Sequence, residues 1–397
     1  MKTDNATQLR TERVWLARER CWLDDFAAIR ARETVLADYP FAAETRAKVL
    51  IYDGDTVRGA LALPEQRRAL MAEWAEALMT GPGIVVLRRM FPDHAVLDAA
   101  SDVFRALIAE ERAANTGGGD HFAKPGANDR VWNALEKLCL REPGIFAAYY
   151  ANETLAAVSE AWLGPAYQVT SQVNVVNPGG EAQSAHRDYH LGFQSAADAA
   201  RFPAHAHLLS PVLTLQGAVA HCDMPLETGP TQYLPYSQTY ASGYLAFARP
   251  DFREFFAAHH VQLPLEKGDG VFFNPALFHA AGHNRSADVR RMANLLQVSS
   301  AFGRAMESVD RVRMSAALFP TLQRLRASGR LTQAQTEAAI GACAEGYSFP
   351  TNLDHDPPLG GLVPLTQAAL MARALAEDWA PTTFAEALAA QANKRLT

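Results

Sequence analysis

The tripeptide His186-Arg187-Asp188 is the part of the sequence whose residue types most directly suggest chemistry. In an extended backbone, residues i and i+2 point to the same side, so His186 and Asp188 can converge on one point. An imidazole and a carboxylate on one face supply two ligands of a 2-His-1-carboxylate facial triad. Such a triad suits Fe(II) and leaves coordination positions open for a cosubstrate and oxygen.

A third ligand is expected on a later strand of the same sheet, and His279 is placed to provide it. This histidine follows the apolar stretch Val271-Phe272-Phe273, and Arg290 comes after it. The planar fork of an arginine donates two parallel hydrogen bonds, which matches the distal carboxylate of a dicarboxylic keto acid. The alternative interpretation is a polar loop histidine and a solvated pair, Arg290-Arg291. The order of these residues on predicted strands favours the metal site.

A zinc hydrolase is the competing metal interpretation. His186 and His190 have the helical i, i+4 spacing that can bind zinc, and so do His279 and His283. Neither pair lies in a predicted helix, and no glutamate follows the first histidine as in the H-E-x-x-H motif. The zinc interpretation is therefore disfavoured.

The elements that would position these residues are short strands bounded by turns. Polar and apolar residues alternate, or β-branched residues cluster, in several stretches, as is typical of strands. Their regular spacing favours an antiparallel sandwich or barrel. The predicted strands cover residues 84–87, 169–175, 207–221, 261–265, 271–273 and 292–299.

Helical patterns flank this β-rich region on both sides. Apolar residues at helical spacing predict helices before it, and the chain from residue 304 onward is rich in alanine. Prolines and glycines predict a loop over 347–364, and Lys124 is interpreted as a surface lysine in a loop between helices. The predicted helices cover residues 8–36, 65–80, 93–113, 366–377 and 384–394.

The composition is that of a folded protein. The chain has 397 residues, of which 49% are hydrophobic and 20% charged, and its length would suggest two or three domains. The net charge of -6 argues against a nucleic-acid partner. The four cysteines are dispersed without a C-x-x-C pair, which predicts reduced thiols. No signal peptide and no membrane-length apolar run is recognised, so we expect a cytoplasmic protein without a membrane role.

Three stretches, in order along the chain, are similar to motifs of the phytanoyl-CoA dioxygenase (PhyH) family. Residues 83–88 (Gly-Ile-Val-Val-Leu-Arg) resemble the strand that begins the family domain, and residues 227–238 resemble its segment around a Gly-Pro pair. Residues 267–290 resemble its closing segment, which runs from Lys-Gly-Asp through the distal histidine to an arginine. The resemblance covers residues 66–300. It implies the α+β class, with a double-stranded β-helix (jelly-roll, cupin-like) core and N- and C-terminal helical extensions packed around it.

The same resemblance implies non-haem Fe(II) as the metal, 2-oxoglutarate as cosubstrate and O2 as oxidant. It implies that His186, Asp188 and His279 are the catalytic iron ligands. It also implies that Arg290 holds the far carboxylate of 2-oxoglutarate.

Two further polar residues are possible contacts of the cosubstrate, and the sequence departs from the family pattern at two places. Asn174 matches a position that contacts 2-oxoglutarate in the related ectoine hydroxylases, and Gln172 is its weaker neighbour on the polar face of a strand. The glycine and serine usual after the distal histidine are Ala280 and Ala281 here. The usual Gly-Ser-His after a proline is Tyr236-Ser237-Gln238. These departures indicate a subfamily with its own pocket.

The function expected from these features is oxidation, with hydroxylation as the expected outcome, of an unactivated C–H bond in a small-molecule metabolite or natural-product intermediate. Succinate and CO2 are the coproducts. The carboxylate of Asp188 argues against a halogenase, which would leave a site for chloride. The alternatives are an acyl-CoA hydroxylase and a non-catalytic jelly-roll binding protein. We expect a small-molecule partner, and a homo-oligomer is possible. We also expect three segments, with residues 66–303 as the oxygenase core and residues 1–65 and 304–397 as helical extensions.

Overall fold

The structure is a computed structural model that describes residues 5–114, 126–358 and 360–396. The predicted surface lysine Lys124 lies outside these residues. The chain divides into two compact units, which are described separately. Unit one consists of residues 1–90, 119–129 and 174–295, and unit two consists of residues 91–118, 130–173 and 296–397. The three segments 1–65, 66–303 and 304–397 stay a prediction.

Helices occur along the whole described chain, whereas the strands lie between residues 44 and 299. Among the described residues, the α-helices are α1 (Asn5–Val14), α2 (Leu23–Ala28), α3 (Gly54–Leu61), α4 (Pro64–Met79), α5 (His94–Ala113), α6 (Ala134–Arg141), α7 (Pro143–Tyr150), α8 (Glu153–Leu163), α9 (Ala196–Ala199), α10 (Ala204–Val212), α11 (Gly243–Ala246), α12 (Pro250–His259), α13 (Arg311–Ala327), α14 (Gln333–Cys343), α15 (Gln367–Ala376) and α16 (Pro381–Asn393). In this part of the chain, none of the helices is long and apolar enough to cross a membrane.

The strands form two sheets. They are β1 (Glu44–Arg46), β2 (Val49–Asp53), β3 (Ile84–Arg88), β4 (Asn128–Val131), β5 (Gln168–Val176), β6 (Thr214–Ala220), β7 (Gln232–Tyr233), β8 (Val261–Gln262), β9 (Gly270–Phe273), β10 (His279–Ala280) and β11 (Arg291–Ser299). The larger sheet has the order β1-β2-β3-β9-β6-β11-β5-β4, and the smaller sheet has the order β10-β7-β8. The α+β class with a double-stranded β-helix core is confirmed.

Apolar side chains of unit one fill the space between the two sheets. Val86 of β3 lies opposite Val271 of β9, and Phe273 of β9 packs its ring on Tyr233 of β7, with ring centres 5.2 Å apart. These residues share one buried cluster with Ile51 of β2. Because β3 and β9 are rich in β-branched and aromatic residues, they form buried strands, as the sequence pattern predicts.

One predicted strand is largely wrong. The alternation over 207–221 was expected to form a single strand, but helix α10 extends to Val212 and only β6, from Thr214, is extended. The helix begins after Pro203 and contains alanine and leucine, which favour helices. Its Leu208 and Leu209 are exposed rather than facing a core. The short Leu/Ser alternation therefore matched a strand by coincidence.

The N-terminal segment is less regular than its pattern predicts. The helix expected over 8–36 is broken into α1, α2 and short 3-10 turns, and β1 and β2 follow within the predicted helical extension. Strand β2 pairs in parallel with β3, so this segment also contributes to the larger sheet. Trp22 is 60% exposed, whereas Phe26 is buried.

Phe26 is the main contact of this segment with the rest of unit one. Its ring lies 4.7 Å from that of Phe278 and 5.0 Å from that of Phe252, and it also meets the rings of Tyr240 and Phe255. Aromatic rings at these distances bury large apolar areas and attract each other further through their quadrupoles. Since Phe278 precedes His279, the N-terminal segment supports the strand that carries this predicted ligand.

Unit two is mainly helical. Its long helix α13 packs Phe319 flat against Phe384 of α16, with ring centres 4.2 Å apart. At the start of α13, the buried Arg311 donates to the carbonyls of Val169, Ala342 and Cys343. The helices predicted near the C-terminus are confirmed as α15 and α16. The described residues 347–358 and 360–364 of the predicted loop are irregular, as expected.

We predict that Phe26→Ala destabilises the protein by about 3–5 kcal/mol, because a large buried ring leaves a cavity that its neighbours fill only in part. Trp22→Ala, at an exposed position four residues earlier, should change stability by no more than about 0.5 kcal/mol. Denaturant unfolding followed by near-UV circular dichroism measures both. Equal, small effects of the two substitutions would contradict the packing role given to Phe26.

Candidate metal centre

Backbone pairing brings His186 to His279. The amide of His186 donates to the carbonyl of His279 at 3.0 Å, and the amide of His279 donates back at 3.1 Å. This isolated antiparallel bridge places the two imidazole rings 4.4 Å apart. Two residues further, the amide of Asp188 donates to the carbonyl of Pro275 at 2.9 Å. As predicted from their i, i+2 spacing, both side chains of the H-x-D motif face His279.

The three side chains offer their ligand atoms to one point. One ligand atom from each of His186, Asp188 and His279 lies within 4.8 Å of the other two. His186 Nε2 is 3.8 Å from Asp188 Oδ1, and His279 Nε2 is 3.4 Å from Asp188 Oδ2. These three side chains form a cluster that could hold a metal ion, and it is the group of this kind found among the described residues.

Hydrogen bonds to backbone carbonyls orient both imidazoles. His186 Nδ1 donates to the carbonyl of Ser184 at 2.9 Å, and His279 Nδ1 donates to the carbonyl of Leu277 at 2.8 Å. A proton on Nδ1 leaves the lone pair of Nε2 free in the neutral ring, and such partners are typical of metal-binding histidines. The donor set therefore fits a divalent iron: two neutral imidazole nitrogens and one carboxylate.

Asp188 is held as a carboxylate. Burial by itself would raise the pKa of Asp188, but the neighbouring imidazoles of His186 and His279 and the amide of Gln216 together hold it below its usual range. Gln216 Nε2 donates to Asp188 Oδ2 at 2.5 Å. This candidate metal ligand is consequently charged over the physiological pH range.

Gln216 was not assigned a role from the sequence. It lies on β6, where its backbone is opposite Phe273 of β9, so both side chains face the same side of the sheet. The ring of Phe273 in turn lies 4.8 Å from that of His279. The period-two alternation of β6 was the available signal, but only the sheet register shows that Gln216 meets Asp188.

Arg290 lies apart from these contacts. Its Nε donates to Asn177 Oδ1 at 3.0 Å and its guanidinium pairs with Asp129 at 3.1 Å. The side chain is 56% exposed. Each contact of Arg290 is therefore with a residue outside the His-Asp-His cluster.

The next residue, Arg291, is buried instead. Its guanidinium donates to the carbonyl of Thr228 at 3.0 Å, and burial lowers its pKa to about 10, so it remains a cation at neutral pH. Tyr233 and Cys222 lie close enough to affect that pKa. Tyr233 pairs in register with His279 on the neighbouring strand. Arg291 is the first residue of β11 and Arg290 directly precedes this strand, yet the Arg291 side chain is buried and the Arg290 side chain is exposed.

The two predicted polar neighbours are in different units. Asn174, in unit one, accepts a hydrogen bond from Asn128 Nδ2 at 3.1 Å and is half-buried. Gln172, in unit two, is buried and donates to the sulfur of Met306 at 3.8 Å. Nothing in these contacts assigns either residue to a cosubstrate.

More than half of the chain matches one known protein family. A family model described as phytanoyl-CoA dioxygenase (PhyH) matches residues 26–292. "Dioxygenase trt7" of Aspergillus terreus (strain NIH 2624 / FGSC A1156) is 32% identical over 121 residues, which is 30% of this chain and 37% of that protein. The match thus spans well under half of the curated relative.

Two solved structures are similar at low identity. The non-heme alpha ketoglutarate dependent epimerase SnoN from nogalamycin biosynthesis is 20% identical, covers 59% of this chain and 84% of its own, and gives a TM-score of 0.41. The non-heme alpha ketoglutarate dependent carbocyclase SnoK from the same biosynthesis is 20% identical, covers 58% and 83%, and gives a TM-score of 0.40.

We predict that Gln216→Leu weakens Fe(II) binding by roughly 10–100-fold, the effect usual for removing a partner of a metal ligand. Without the amide donor, one oxygen of Asp188 loses its hydrogen bond and the carboxylate loses its fixed orientation. Anaerobic calorimetric titration measures the affinity. Gln333→Leu, on the exposed start of α14, is the matched control and should bind as the wild type does. Wild-type affinity in both variants would show that Gln216 does not orient Asp188.

Proposed function

Because the chain belongs to the phytanoyl-CoA dioxygenase (PhyH) family, we propose that it is an Fe(II)- and 2-oxoglutarate-dependent dioxygenase. Its substrate is a small-molecule metabolite or natural-product intermediate, and the expected outcome is hydroxylation of an unactivated C–H bond. The observation that carries this proposal is the convergence of His186, Asp188 and His279 within 4.8 Å.

The proposed chemistry needs little from the protein beyond binding and orientation. When bound, Fe(II) supplies the oxidation, in which 2-oxoglutarate and O2 become succinate and CO2 and a substrate C–H bond becomes C–OH. His186 and His279 hold the metal through Nε2, and Asp188 holds it through a carboxylate oxygen. Gln216 donates to Asp188 Oδ2 and would hold this carboxylate in a fixed orientation toward the metal.

For the far carboxylate of 2-oxoglutarate, the resemblance indicates Arg290, whereas the contacts favour Arg291. A buried cation binds a carboxylate more strongly than an exposed one, because water and salt screen it less. Arg291 has this environment, and Arg290 is already paired with Asp129 at the surface. Asn174 stays a predicted second contact of 2-oxoglutarate. Gln172 stays a weaker prediction for the same role.

The proposed compartment is the cytoplasm. The cysteines are Cys21, Cys139, Cys222 and Cys343, and none of them forms a disulfide in the described part of the chain. Reduced thiols and a ferrous centre both suit a reducing environment.

The first test of the function is the visible absorption of the anaerobic complex. Adding Fe(II) and then 2-oxoglutarate should produce a weak charge-transfer band, because the keto acid chelates the metal. His186→Ala removes one nitrogen ligand and should abolish the band. His205→Ala, which changes an exposed histidine, should retain it. A wild-type protein without the band, or a band that persists unchanged in His186→Ala, would refute the proposed function.

A second test separates the two adjacent arginines. Arg291→Gln should weaken 2-oxoglutarate binding by about tenfold or more, the effect of losing a charge-assisted hydrogen bond. Arg290→Gln should weaken it by no more than about twofold, because the Arg290 guanidinium is mostly exposed to water and is already engaged by Asp129. Titrating the charge-transfer band with 2-oxoglutarate gives both affinities. Arg291→Lys, which retains the charge, should fall between wild type and Arg291→Gln. The opposite ranking of Arg290→Gln and Arg291→Gln would return the role to Arg290.

A further inference from the structure

Arg187, the middle residue of the H-x-D motif, is a buried cation without a carboxylate partner among the described residues. Only 2% of it is exposed. Its guanidinium donates to the carbonyls of Ser237 and Tyr240, at 2.5 and 2.9 Å. The rings of Tyr244 and Phe278 lie 5.2 Å from its central carbon. Two carbonyls and two aromatic faces therefore replace the water that a charged group would normally keep.

This arrangement is costly if it serves stability alone. Removing a guanidinium from water carries a penalty of several kcal/mol, which carbonyls and cation–π contacts offset only in part. Burial accordingly lowers the pKa of Arg187 to about 10, and its Nε has no hydrogen-bond partner. An apolar side chain of similar volume would fill the same space without that penalty. A cation here is better explained by the two hydrogen bonds that its Nη2 donates to the carbonyls of Ser237 and Tyr240.

The surrounding backbone is shaped to admit this side chain. A Cβ added to Gly243 would lie 1.9 Å from the Arg187 guanidinium carbon, and a Cβ added to Gly192 would lie 2.1 Å from the Arg187 carbonyl oxygen. Neither glycine has a φ angle that requires glycine. Space for the Arg187 guanidinium is thus the reason for the glycine at 243, whereas the glycine at 192 is required by the close approach of the Arg187 backbone carbonyl.

Ser237 connects Arg187 to the other histidine. Its carbonyl accepts from the Arg187 guanidinium, while its hydroxyl oxygen accepts from the amide of Phe278 at 2.8 Å. Phe278 directly precedes His279. The hydroxyl of Tyr244 also donates to the carbonyl of Asp188 at 3.2 Å. The segment 237–244 therefore contacts residues next to both histidines of the cluster and Asp188 itself.

We propose that Arg187 is a positioning residue that, through Ser237 and Tyr240, fixes the H-x-D segment relative to His279 so that the three metal ligands are preorganised. The inference rests on the proposed function, since it assumes that the cluster binds a metal. It adds that the geometry of that site depends on a side chain that never touches the metal.

The test compares Arg187→Met and Arg187→Lys with the surface control Arg201→Met, whose native side chain is 81% exposed. The probe is Co(II), whose visible spectrum reports ligand geometry without turnover. We expect Arg187→Met to weaken Co(II) binding by roughly 10–100-fold and to alter the spectrum. Arg187→Lys should recover part of the affinity, since its ammonium keeps the charge and can donate to these carbonyls but lacks the planar group that lies against the two aromatic rings. Arg201→Met should match the wild type.

Gly243→Ala provides a second route, because its methyl group displaces the guanidinium while Arg187 is retained. It should reproduce the altered Co(II) spectrum. If Arg187→Met does not fold, Gly243→Ala and Arg187→Lys together test whether Arg187 positions the ligands. Wild-type Co(II) affinity and spectrum in the folded variants would overturn the proposal. The proposed function fails separately: a wild-type protein that binds Co(II) through His186, yet shows no charge-transfer band with Fe(II) and 2-oxoglutarate, would refute the dioxygenase and leave the positioning result intact.

Discussion

The pair of backbone hydrogen bonds between His186 and His279 is the constraint on which the rest of the site depends. It joins two parts of the chain that are far apart in sequence and fixes which side chains face each other. A slip of one residue in either segment would turn a histidine to the opposite face. The pairing of β10 with β7 and of β7 with β8 holds this register, as does the packing of Phe26 on Phe278. The jelly-roll core thus serves to define one backbone register.

The buried charged groups of unit one are stabilised by hydrogen bonds. The carboxylate of Asp188 is stabilised by two imidazoles and by Gln216, so it stays charged despite its burial. Arg187 and Arg291 are buried cations whose hydrogen bonds go to backbone carbonyls, which carry partial charge and do not titrate. Neither cation is neutralised by a side chain, so each keeps a net positive charge inside the core. Such charges suit a site that is proposed to bind an anionic cosubstrate.

The sequence predicted what depends on local spacing and missed what depends on register. The convergence of His186 and Asp188 follows from the two-residue repeat of extended chain, and it was predictable without knowing the sheet. Choosing between Arg290 and Arg291 requires the strand phase to within one residue, which no pattern around them fixes. Gln216 is recognisable only once β6 is paired with β9. The helix α10 was read as a strand because a few alternating residues cannot distinguish the two.

Tyr236 shows how a departure from the family pattern is accommodated. It occupies the usual glycine position with a φ of 69°, a left-handed conformation that costs a non-glycine residue roughly 1–2 kcal/mol. Its hydroxyl donates to Thr34 Oγ1 at 2.8 Å, and the guanidinium of Arg32 lies 4.4 Å from its ring centre. These contacts need a tyrosine and offset the strain. Because Ser237 follows directly and its carbonyl accepts from Arg187, the N-terminal segment supports the backbone next to the His-Asp-His cluster.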